Sequence, residues 1–416
     1  MGEFFYRIGI SFLSMGVRLH ALFNAKSKKF VEGRRDMFPK LEQRFKSVDS
    51  PVIWVHCASL GEFEQGRPLI EALKHEYPEF FILLTFFSPS GYEVRKDYEL
   101  ADYICYMPLD NAKNAQDFVK ITHPKLAFFV KYEFWHFHLK ALSEAECWVY
   151  SISAIFRSNQ HFFKLYGGFY RKILRHFDHI FVQNKTAAAL LKGIHIHNVS
   201  ISGDTRFDRV KSITDSVKPQ GIFDEFSKGK VILIGGSTWE ADIKVIAPFL
   251  QQNPHWKAII APHDISEANL RLHEDVLKIQ TERYSRIEVT YMPRTQVILI
   301  DNIGMLSSVY QYGKIAFIGG AFGDGLHNTL EAACFGLPVF FGNKNYQKFQ
   351  EALDLLEYKA AFTVENAQEF LSIMKSESFG IEESSQRALN YVNQNIGATG
   401  RIMEHMAPII QTIKQE

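Results

Sequence analysis

Residues 315–343, IAFIGGAFGDGLHNTLEAACFGLPVFFGN, contain the pattern that decides the fold. The apolar run Ile315–Ile318 is typical of a buried parallel strand, and Leu337–Phe341 is a second such run. Between them lie a glycine-rich loop with few bulky side chains and a helix predicted to begin at His327 and to be closed by Gly336. This order of elements is typical of a nucleotide or sugar-phosphate site, because loop N–H groups and the helix dipole can hold an anion.

The same spacing has a purely structural alternative. Asn328 can cap the helix, and Glu331, three residues later, can complete a capping box. The spacing alone does not decide between a binding loop and a tight, capped turn.

A similar alternation of strand and helix signals runs through the chain from Pro51 onwards. Short apolar runs separated by helical or loop lengths are the βαβ pattern of a parallel sheet. The polar segment 208–229 contains Pro219 and Gly221 and is predicted to link two such halves. We therefore predict an α/β fold with two Rossmann-like domains facing each other across a crevice, where ligands bind at the carboxyl ends of the strands.

The composition fits a protein of this size with two large cores. The chain has 416 residues, 46% hydrophobic and 22% charged, and a net charge of +1, so no global field indicates nucleic acid. The four cysteines are far apart and form no CxxC pair, which favours buried, reduced thiols. The predicted division is an N-terminal segment 1–46, a Rossmann-like domain 47–207, a linker 208–229, a second Rossmann-like domain 230–382 and a helical tail 383–416.

The N-terminus differs from the rest of the chain. An aromatic and apolar stretch over residues 1–23 is interrupted by Arg7 and Arg18, which leaves an uncharged core too short to span a bilayer. Residues 1–46 carry ten Lys or Arg against four Asp or Glu. An apolar helix beside a basic stretch is typical of an interfacial membrane anchor, and the alternative is a helix packed on the protein itself.

Three ionisable residues follow strands of the N-terminal half: Glu62, Glu133 and Arg206. In a parallel sheet all three would face the crevice, where a carboxylate can act as general base and a cation can hold developing phosphate charge. The alternative for Glu62 is a capping box with Ser59. The alternative for the other two is an ordinary salt bridge at a domain boundary.

Several reaction classes lack their sequence motifs. The chain contains no HExxH, no zinc-spaced Cys/His cluster, no GxSxG, no Walker P-loop and no GxGxxG. Metal-dependent hydrolysis, serine hydrolysis and hydride transfer are therefore disfavoured. Group transfer from a nucleotide-activated donor is favoured instead.

An ordered set of short motifs closely resembles the 3-deoxy-D-manno-octulosonic acid (Kdo) transferases over nearly the whole chain. The motifs are Ser59-Leu60-Gly61-Glu62, Tyr132-Glu133-Phe134-Trp135, Gly203-Asp204-Thr205-Arg206-Phe207-Asp208, Gly236-Ser237-Thr238-Trp239-Glu240 and Gly325-Leu326-His327-Asn328-Thr329-Leu330-Glu331. The resemblance implies a GT-B fold on the cytoplasmic face of the inner membrane. It also implies transfer of Kdo from CMP-Kdo to a lipid A precursor in lipopolysaccharide synthesis, with inversion and without a metal or cofactor.

The resemblance also implies roles for particular residues. Glu62 corresponds to the family's general base, and Glu133 and Arg206 to its proposed transition-state stabilisers. The implied CMP contacts are Pro262, His263, Ile303, Gly304, Met305, Asn328, Thr329, Leu330 and Glu331.

Three positions depart from the family pattern. His263 and Asp264 stand where Arg and His are usual, so a cation for the donor phosphate is missing there. Arg206 replaces a usual Lys and keeps charge but not shape. Met305 replaces a common Glu, which leaves only backbone contacts. Two rival functions remain open: a nucleotide-sugar epimerase on the same scaffold, and a non-catalytic membrane-surface protein that retains the fold.

Overall fold

The computed structural model describes residues 2–287, 294–323 and 325–415, which form two compact units. Unit 1 comprises Met1–Arg209 and Ile396–Glu416, and unit 2 comprises Val210–Asn395. Asp324, in the predicted glycine loop, lies outside the described residues. Each unit is built around its own parallel sheet.

Unit 1 contains a seven-stranded parallel sheet in the order β3-β2-β1-β4-β5-β6-β7. The strands are β1 Val52–Cys57, β2 Phe81–Phe86, β3 Tyr103–Tyr106, β4 Pro124–Val130, β5 Trp148–Ala154, β6 His179–Val182 and β7 Val199–Ile201. Strand β1 is buried along its whole length because helices cover both faces of the sheet, and its residues are apolar except for His56. Trp54 packs into the core on one face, whereas Ile53 and Val55 pack into the core on the other.

Ten helices alternate with these strands or precede them, and an eleventh is added from the C-terminus. They are α1 Gly2–His20, α2 Ala25–Glu32, α3 Met37–Phe45, α4 Leu60–Glu76, α5 Pro89–Arg95, α6 Ala112–Thr122, α7 His136–Glu144, α8 Gly168–Leu174, α9 Lys185–Gly193, α10 Arg206–Ser216, which continues into unit 2, and α19 Ala398–Gln415. Helix α19 covers the same face of the sheet as α4, with Ile402, Met406 and Ile410 fully buried. The unit is therefore completed by the last residues of the chain.

Helix α1 is amphipathic, with one docked side and one exposed side. Tyr6 donates a hydrogen bond from its hydroxyl to Asp110 at 2.5 Å, and Asp110 also accepts the backbone N–H groups of Phe137 and His138 at the start of α7. The opposite side exposes large apolar side chains, among them Phe4, Phe5, Phe12, Met15 and Leu19. Of the two alternatives for this helix, packing on the protein is shown for the side that carries Tyr6, whereas the membrane anchor stays a prediction for the exposed side. Within the described residues, no helix combines the length and hydropathy needed to span a membrane.

Unit 2 contains a second seven-stranded parallel sheet, in the order β10-β11-β9-β8-β12-β13-β14. The strands are β8 Val231–Thr238, β9 Trp256–Pro262, β10 Thr281–Arg283, β11 Val297–Leu299, β12 Ile315–Ile318, β13 Val339–Gly342 and β14 Ala361–Val364. The helices within the unit are α11 Gly221–Ser227, α12 Glu240–Gln252, α13 Glu267–Leu277, α14 Leu306–Val309, α15 Leu330–Cys334, α16 Gln350–Glu357, α17 Ala367–Lys375 and α18 Ile381–Asn395. The stretch that opened the sequence analysis supplies β12, α15 and β13, and β12 lies beside the central strand β8.

Two predicted boundaries differ from these units. The predicted linker 208–229 is largely helical, because it contains most of α10 and all of α11. The predicted tail 383–416 is divided, since α18 belongs to unit 2 and α19 belongs to unit 1. Asp208 explains part of the second difference: its carboxylate accepts the backbone N–H groups of Gly397 and Thr399 and so ties the returning chain to unit 1.

Candidate functional site

Glu62 lies in the first turn of α4, directly after the carboxyl end of β1. Ser59 is the N-cap residue, but its side chain does not cap the helix; its hydroxyl donates a hydrogen bond to Oε2 of Glu62 instead. The capping-box alternative for this pair is therefore wrong. One carboxylate oxygen of Glu62 is held in place by a neutral donor.

The other oxygen of Glu62 faces a cation that the sequence analysis did not single out. The ammonium Nζ of Lys131 lies 3.9 Å from Oε1 of Glu62, and both side chains are partly buried. Lys131 follows β4 and has a backbone φ of +70°, a left-handed conformation that is uncommon for a lysine. Residues held in such conformations concentrate at functional sites.

Glu133 is a buried carboxylate two residues beyond Lys131. Its Oε2 accepts hydrogen bonds from Nε1 of Trp135 at 2.6 Å and from Nε2 of His56 at 3.1 Å. His56 is fully buried in β1, so the carboxylate is anchored directly to an inner strand of the sheet. The salt-bridge alternative at a domain boundary does not describe Glu133, because these two ring N–H donors hold it inside unit 1.

Arg206 begins α10 and pairs with the buried carboxylate of Asp204. Its Nε and Nη2 lie 2.9 and 2.8 Å from Oδ2 of Asp204, while its backbone N–H donates to Oδ1. Burial alone would raise the pKa of Asp204, but the charge and hydrogen bonds of Arg206 outweigh it and hold that pKa below its usual value. An ion pair is thus present at Arg206, and it fixes the direction of the guanidinium.

The three candidate catalytic residues belong to one neighbourhood of unit 1. Burial raises the pKa of the Cys57 thiol, and the charges of Glu62 and Glu133 raise it further. Burial likewise raises the pKa of Tyr132, which also experiences the charges of Glu62 and Arg206. Two carboxylates and a guanidinium therefore share the carboxyl ends of the strands of unit 1, as the sequence predicted.

In unit 2, the glycine loop is less open than the sequence suggested. Gly320 has φ +94° and passes so close to Gly325 that an added Cβ would lie 2.3 Å from its carbonyl oxygen, so only glycine fits. The backbone N–H of Gly320 donates to Asp242, those of Gly323 and Gly325 donate to the Gly320 carbonyl, and that of His327 donates to the Gly319 carbonyl. These N–H groups are used inside the loop and are not presented to an anion.

The helix after this loop is shorter than predicted. It spans Leu330–Cys334, five residues, and therefore begins three residues later than His327. A helix of this length has a small dipole, so the dipole argument for anion binding fails here. Asn328 accepts the backbone N–H of Leu330 at 3.1 Å and donates to Glu331 Oε1 at 2.9 Å, which resembles a local turn more than a full capping box. The side chain of Thr329 is buried.

Aromatic rings at three strand ends of unit 2 form a stack. Trp239 follows β8, His263 follows β9 and His327 follows the loop after β12. The His263 ring centroid lies 4.5 Å from that of Trp239 and 4.5 Å from that of His327, with nearly parallel planes. The indole N–H of Trp239 donates to Nε2 of His327 at 3.3 Å. Burial, helped by His263, lowers the pKa of His327 to about 4, so its ring is neutral at pH 7.

Asp242 connects this stack to the glycine loop. Its buried Oδ2 accepts the backbone N–H groups of Trp239 at 2.9 Å and Gly320 at 3.2 Å. Burial raises its pKa to about 6, because the two N–H donors compensate only in part. The predicted segments around His263 and Asn328 are thus brought together within unit 2.

The remaining predicted CMP contacts have different surroundings. Pro262 is the last residue of β9 and is buried, whereas Ile303 is exposed and Gly304 has φ +96°. Met305 precedes α14, which leads to the buried Tyr310. Burial raises the pKa of Tyr310, and the charge of Glu331 adds to this effect, which places α14 and α15 in one part of unit 2.

Lys131, His56, Asp242 and the Trp239–His263–His327 stack were not predicted from the sequence. The signal for Lys131 was its position between β4 and Glu133. The signal for His56 and Trp239 was their place at the ends of strands beside recognised motifs. The signal for Asp242 was its position three residues after Trp239, because a residue at this spacing from a helix N-cap can complete a capping box.

Comparison with known proteins gives both a sequence and a fold relationship. A family model described as 3-deoxy-D-manno-octulosonic-acid transferase (kdotransferase) matches residues 35–209. The chain is 28% identical over 331 residues to a 3-deoxy-D-manno-octulosonic acid transferase of Aquifex aeolicus, covering 77% of this chain and 84% of that protein. It is 25% identical over 382 residues to the corresponding transferase of Haemophilus influenzae, covering 86% and 87%.

Among solved structures, a UDP-GlcNAc 2-epimerase from Neisseria meningitidis bound to UDP-GlcNAc is similar with a TM-score of 0.60. The similarity covers 86% of this chain and all of that chain at 14% identity. At this identity the likeness concerns the fold alone. It supports a GT-B-like α/β architecture and does not favour the epimerase alternative.

Proposed function

Because this chain belongs to the family of Kdo transferases and is a glycosyltransferase, we propose that it transfers Kdo from CMP-Kdo to a lipid A precursor, with inversion at the anomeric carbon. The proposal assigns the general base to Glu62 in unit 1 and the donor nucleotide to unit 2. The observation that carries it is the setting of Glu62. One of its oxygens is held by the Ser59 hydroxyl, while the other faces Lys131 at the carboxyl end of the sheet.

In the proposed reaction, Glu62 removes the proton from an acceptor hydroxyl while that oxygen attacks the anomeric carbon of Kdo. The bond between this carbon and the phosphate oxygen breaks, and CMP leaves with the electron pair. A base for this step has to be ionised and correctly aimed. The Ser59 hydroxyl and the Lys131 ammonium aim the carboxylate, since one donates a hydrogen bond to Oε2 and the other lies 3.9 Å from Oε1.

Glu133 and Arg206 are assigned supporting roles in the same step. Arg206, held in direction by Asp204, is proposed to stabilise negative charge that develops on the departing phosphate. Glu133 is proposed to stabilise the transition state. Its carboxylate is held in position by hydrogen bonds from His56 and Trp135. Both groups are pre-organised, so little reorientation is needed during the reaction.

The proposed donor site has His263 where the family usually has an arginine. The geometry of unit 2 supports another way of binding the nucleotide without that cation. The stack of Trp239, His263 and His327 offers flat aromatic surface and ring N–H groups where the family usually has a cation. We therefore assign recognition of CMP mainly to stacking and hydrogen bonding by this stack, with Asn328 and Glu331 beside it. The backbone of Ile303, Gly304 and Met305 is retained as a further part of this proposed site.

The proposed location is the cytoplasmic face of the inner membrane, with helix α1 lying in the lipid interface. Support comes from the exposed apolar side of α1 and from the basic residues that follow it in segment 1–46. The docked side of the same helix, through Tyr6 and Asp110, would keep unit 1 at the membrane surface where a lipid acceptor is found.

A direct assay tests the proposed function. The purified chain is incubated with CMP-Kdo and a lipid A precursor, and release of CMP and formation of the Kdo-bearing lipid are followed together. Transfer to the lipid supports the proposal. CMP-Kdo or acceptor binding without any turnover would favour the non-catalytic alternative, and interconversion of a UDP-sugar without a lipid acceptor would favour the epimerase alternative.

A further inference from the structure

We propose that a cavity in unit 1 beside Tyr132, here named the Tyr132 cavity, binds the sugar headgroup of an anionic glycolipid acceptor. The inference rests on the proposed function, since it concerns the acceptor of that reaction. The cavity has a volume of about 480 Å³, within the range of small-molecule sites. It is lined by the segment 157–162, by α8 and by residues on either side of Glu133.

The lining of the Tyr132 cavity has two chemical parts. Its apolar part consists of Tyr132, Phe134, Phe162 and Tyr170, whose ring faces can pack against the C–H face of a sugar or the first carbons of an acyl chain. Phe134 and Phe162 form an edge-to-face pair with centroids 5.1 Å apart, so this part is well packed. A pocket with aromatic walls holds an amphiphilic ligand better than a free ion.

The polar part lies on the segment after β5. It contains the guanidinium of Arg157, the amides of Asn159 and Gln160, and the imidazole of His161. The backbone N–H of Arg157 donates to the Gln160 side-chain oxygen at 2.9 Å, and His161 stacks on Tyr170 with centroids 5.2 Å apart. Arg157 is exposed and can form a bidentate contact with a phosphate, while the amides can bind sugar hydroxyls.

The position of the cavity matches a ligand that comes from a membrane. Tyr6 of α1 lines it, and α1 exposes Phe4 and Phe5 on its other side. The loop that closes the segment also exposes Leu165 and Tyr166, which are 102% and 68% accessible. Large apolar side chains are therefore exposed on α1, which lines the cavity through Tyr6, and on the loop that joins the lining segment 157–162 to α8. The lipid part of the ligand is proposed to remain on these side chains.

The cavity is linked to the candidate catalytic residues through the chain itself, since Glu133 lies between the lining residues Tyr132 and Phe134. Tyr132 lines the cavity and is also close enough to Glu62 and Arg206 for their charges to act on it, together with that of Arg157. A sugar held against Tyr132 would thus be adjacent to the proposed base. The proposed headgroup site and the candidate catalytic residue Glu133 thus share the segment 132–134 of unit 1.

The test measures acceptor binding without the donor. The probe is a phosphorylated glucosamine disaccharide bearing acyl chains, offered in detergent to the full chain, with the same disaccharide without acyl chains as a second probe. For Arg157→Gln we expect a rise in Kd for both probes of about tenfold, as for loss of one charge-assisted contact. Arg157→Lys should recover part of the affinity. Arg175→Gln, which removes an exposed arginine of the same unit outside the cavity, should leave Kd unchanged.

Kinetics with CMP-Kdo separates the inference from the proposed function. We expect Arg157→Gln to raise KM for the acceptor with the KM for CMP-Kdo unchanged. Equal binding of both probes by wild type and Arg157→Gln would overturn the inference even if transfer occurs. Arg157-dependent binding without any Kdo transfer would support the cavity and reject the proposed function.

Discussion

Nε2 of His56 lies 3.1 Å from Oε2 of Glu133, and the imidazole is completely buried. On its other side, Nδ1 lies 2.8 Å from the hydroxyl oxygen of Thr85, which also accepts the indole N–H of Trp54 at 2.7 Å. Because an ionised carboxylate only accepts, we assign the ring proton to Nε2 and a hydrogen bond from Thr85 to Nδ1. Hydrogen bonds thus run from Trp54 through Thr85 and His56 to Glu133, and they fix the orientation of the imidazole that holds the carboxylate.

Replacing His56 tests whether this arrangement matters for function. His56→Leu removes one of the two donors to a buried carboxylate, so we expect turnover to fall at least about tenfold and stability to fall by about 2 kcal/mol. The measurements are kcat for Kdo transfer and the free energy of unfolding in urea. His56→Gln, which can still donate to Glu133, should recover part of both. Wild-type kcat in His56→Leu would show that His56 serves the core alone.

Glu62→Gln tests the assignment of the base. The Gln carbonyl can still accept the Ser59 hydrogen bond, so folding and CMP binding should be nearly unchanged, while turnover should fall on the order of 10²-fold or more. Single-turnover transfer and CMP affinity are measured on the same preparation. Transfer at close to the wild-type rate would remove Glu62 from the mechanism and make Glu133 the next candidate.

Lys131→Gly tests whether the positive charge of Lys131, a lysine with a left-handed backbone conformation, contributes to catalysis. Glycine relieves the positive φ, so the free energy of unfolding should stay unchanged or rise by up to about 1 kcal/mol. Transfer should nevertheless slow several-fold, because Oε1 of Glu62 loses its neighbouring ammonium. Lys359→Gly is the matched control, since Lys359 is an exposed lysine with φ +54° in unit 2. If both variants retain full activity, Lys131 has no part in the reaction.

Asp242 should make the stability of unit 2 depend on pH. Its folded pKa of about 6 exceeds the usual 3.8, so the folded state binds a proton more readily than the unfolded state between these values. Stability should therefore fall as pH rises from about 4 to 6, with a cost of about 2–3 kcal/mol fully present above pH 6. In Asp242→Asn this contribution should vanish, since an amide oxygen can accept the same two N–H groups.

Urea unfolding at several pH values between 4 and 7.5 provides this measurement. Asp242→Ala serves as the comparison, because it removes the acceptor as well as the charge and should be destabilised at every pH. Identical pH profiles for wild type and Asp242→Asn would show that the carboxyl does not titrate in this range.

The exposed side of α1 should bind anionic lipid without crossing it. We expect the wild type to sediment with phosphatidylglycerol vesicles and to be released largely by high salt or alkaline carbonate. A variant with Phe5, Phe12 and Leu19 changed to Ser should bind at least tenfold less, whereas Val94→Ser, an exposed apolar control on α5, should bind normally. Retention of the wild type after both washes would indicate integral insertion instead.

Much of the fold could be predicted because its signals are local. The apolar run 52–56 became β1 with one added residue, and 315–318 became β12 without change, since strands buried on both faces read as uninterrupted apolar segments. The helix after the glycine loop was placed too early because Asn328 forms side-chain bonds that mimic a cap. The segment 208–229 was predicted to be a linker because it is polar and contains Pro219 and Gly221, although Pro219 lies between two helices and Gly221 begins the second of them.

The candidate site was predicted in part for the same reason. Glu62, Glu133 and Arg206 were found because each follows a strand, and parallel strands bring their carboxyl ends together. The partners of these residues could not be predicted, since the contacts of His56 with Glu133 and of Lys131 with Glu62 join residues more than 60 positions apart. Such pairings depend on strand order, which a single sequence does not reveal.

The return of α19 to unit 1 has a consequence for biosynthesis. Ile402, Met406 and Ile410 complete one face of a sheet whose first strand in the chain, β1, is made some 350 residues earlier. While unit 2 is being translated, this face of the nascent unit 1 lacks part of its cover and presents apolar surface to solvent. We expect ribosome-bound chains that end before α19 to recruit chaperones, and premature termination near the 3′ end of the message to yield aggregates rather than a shortened but intact first unit.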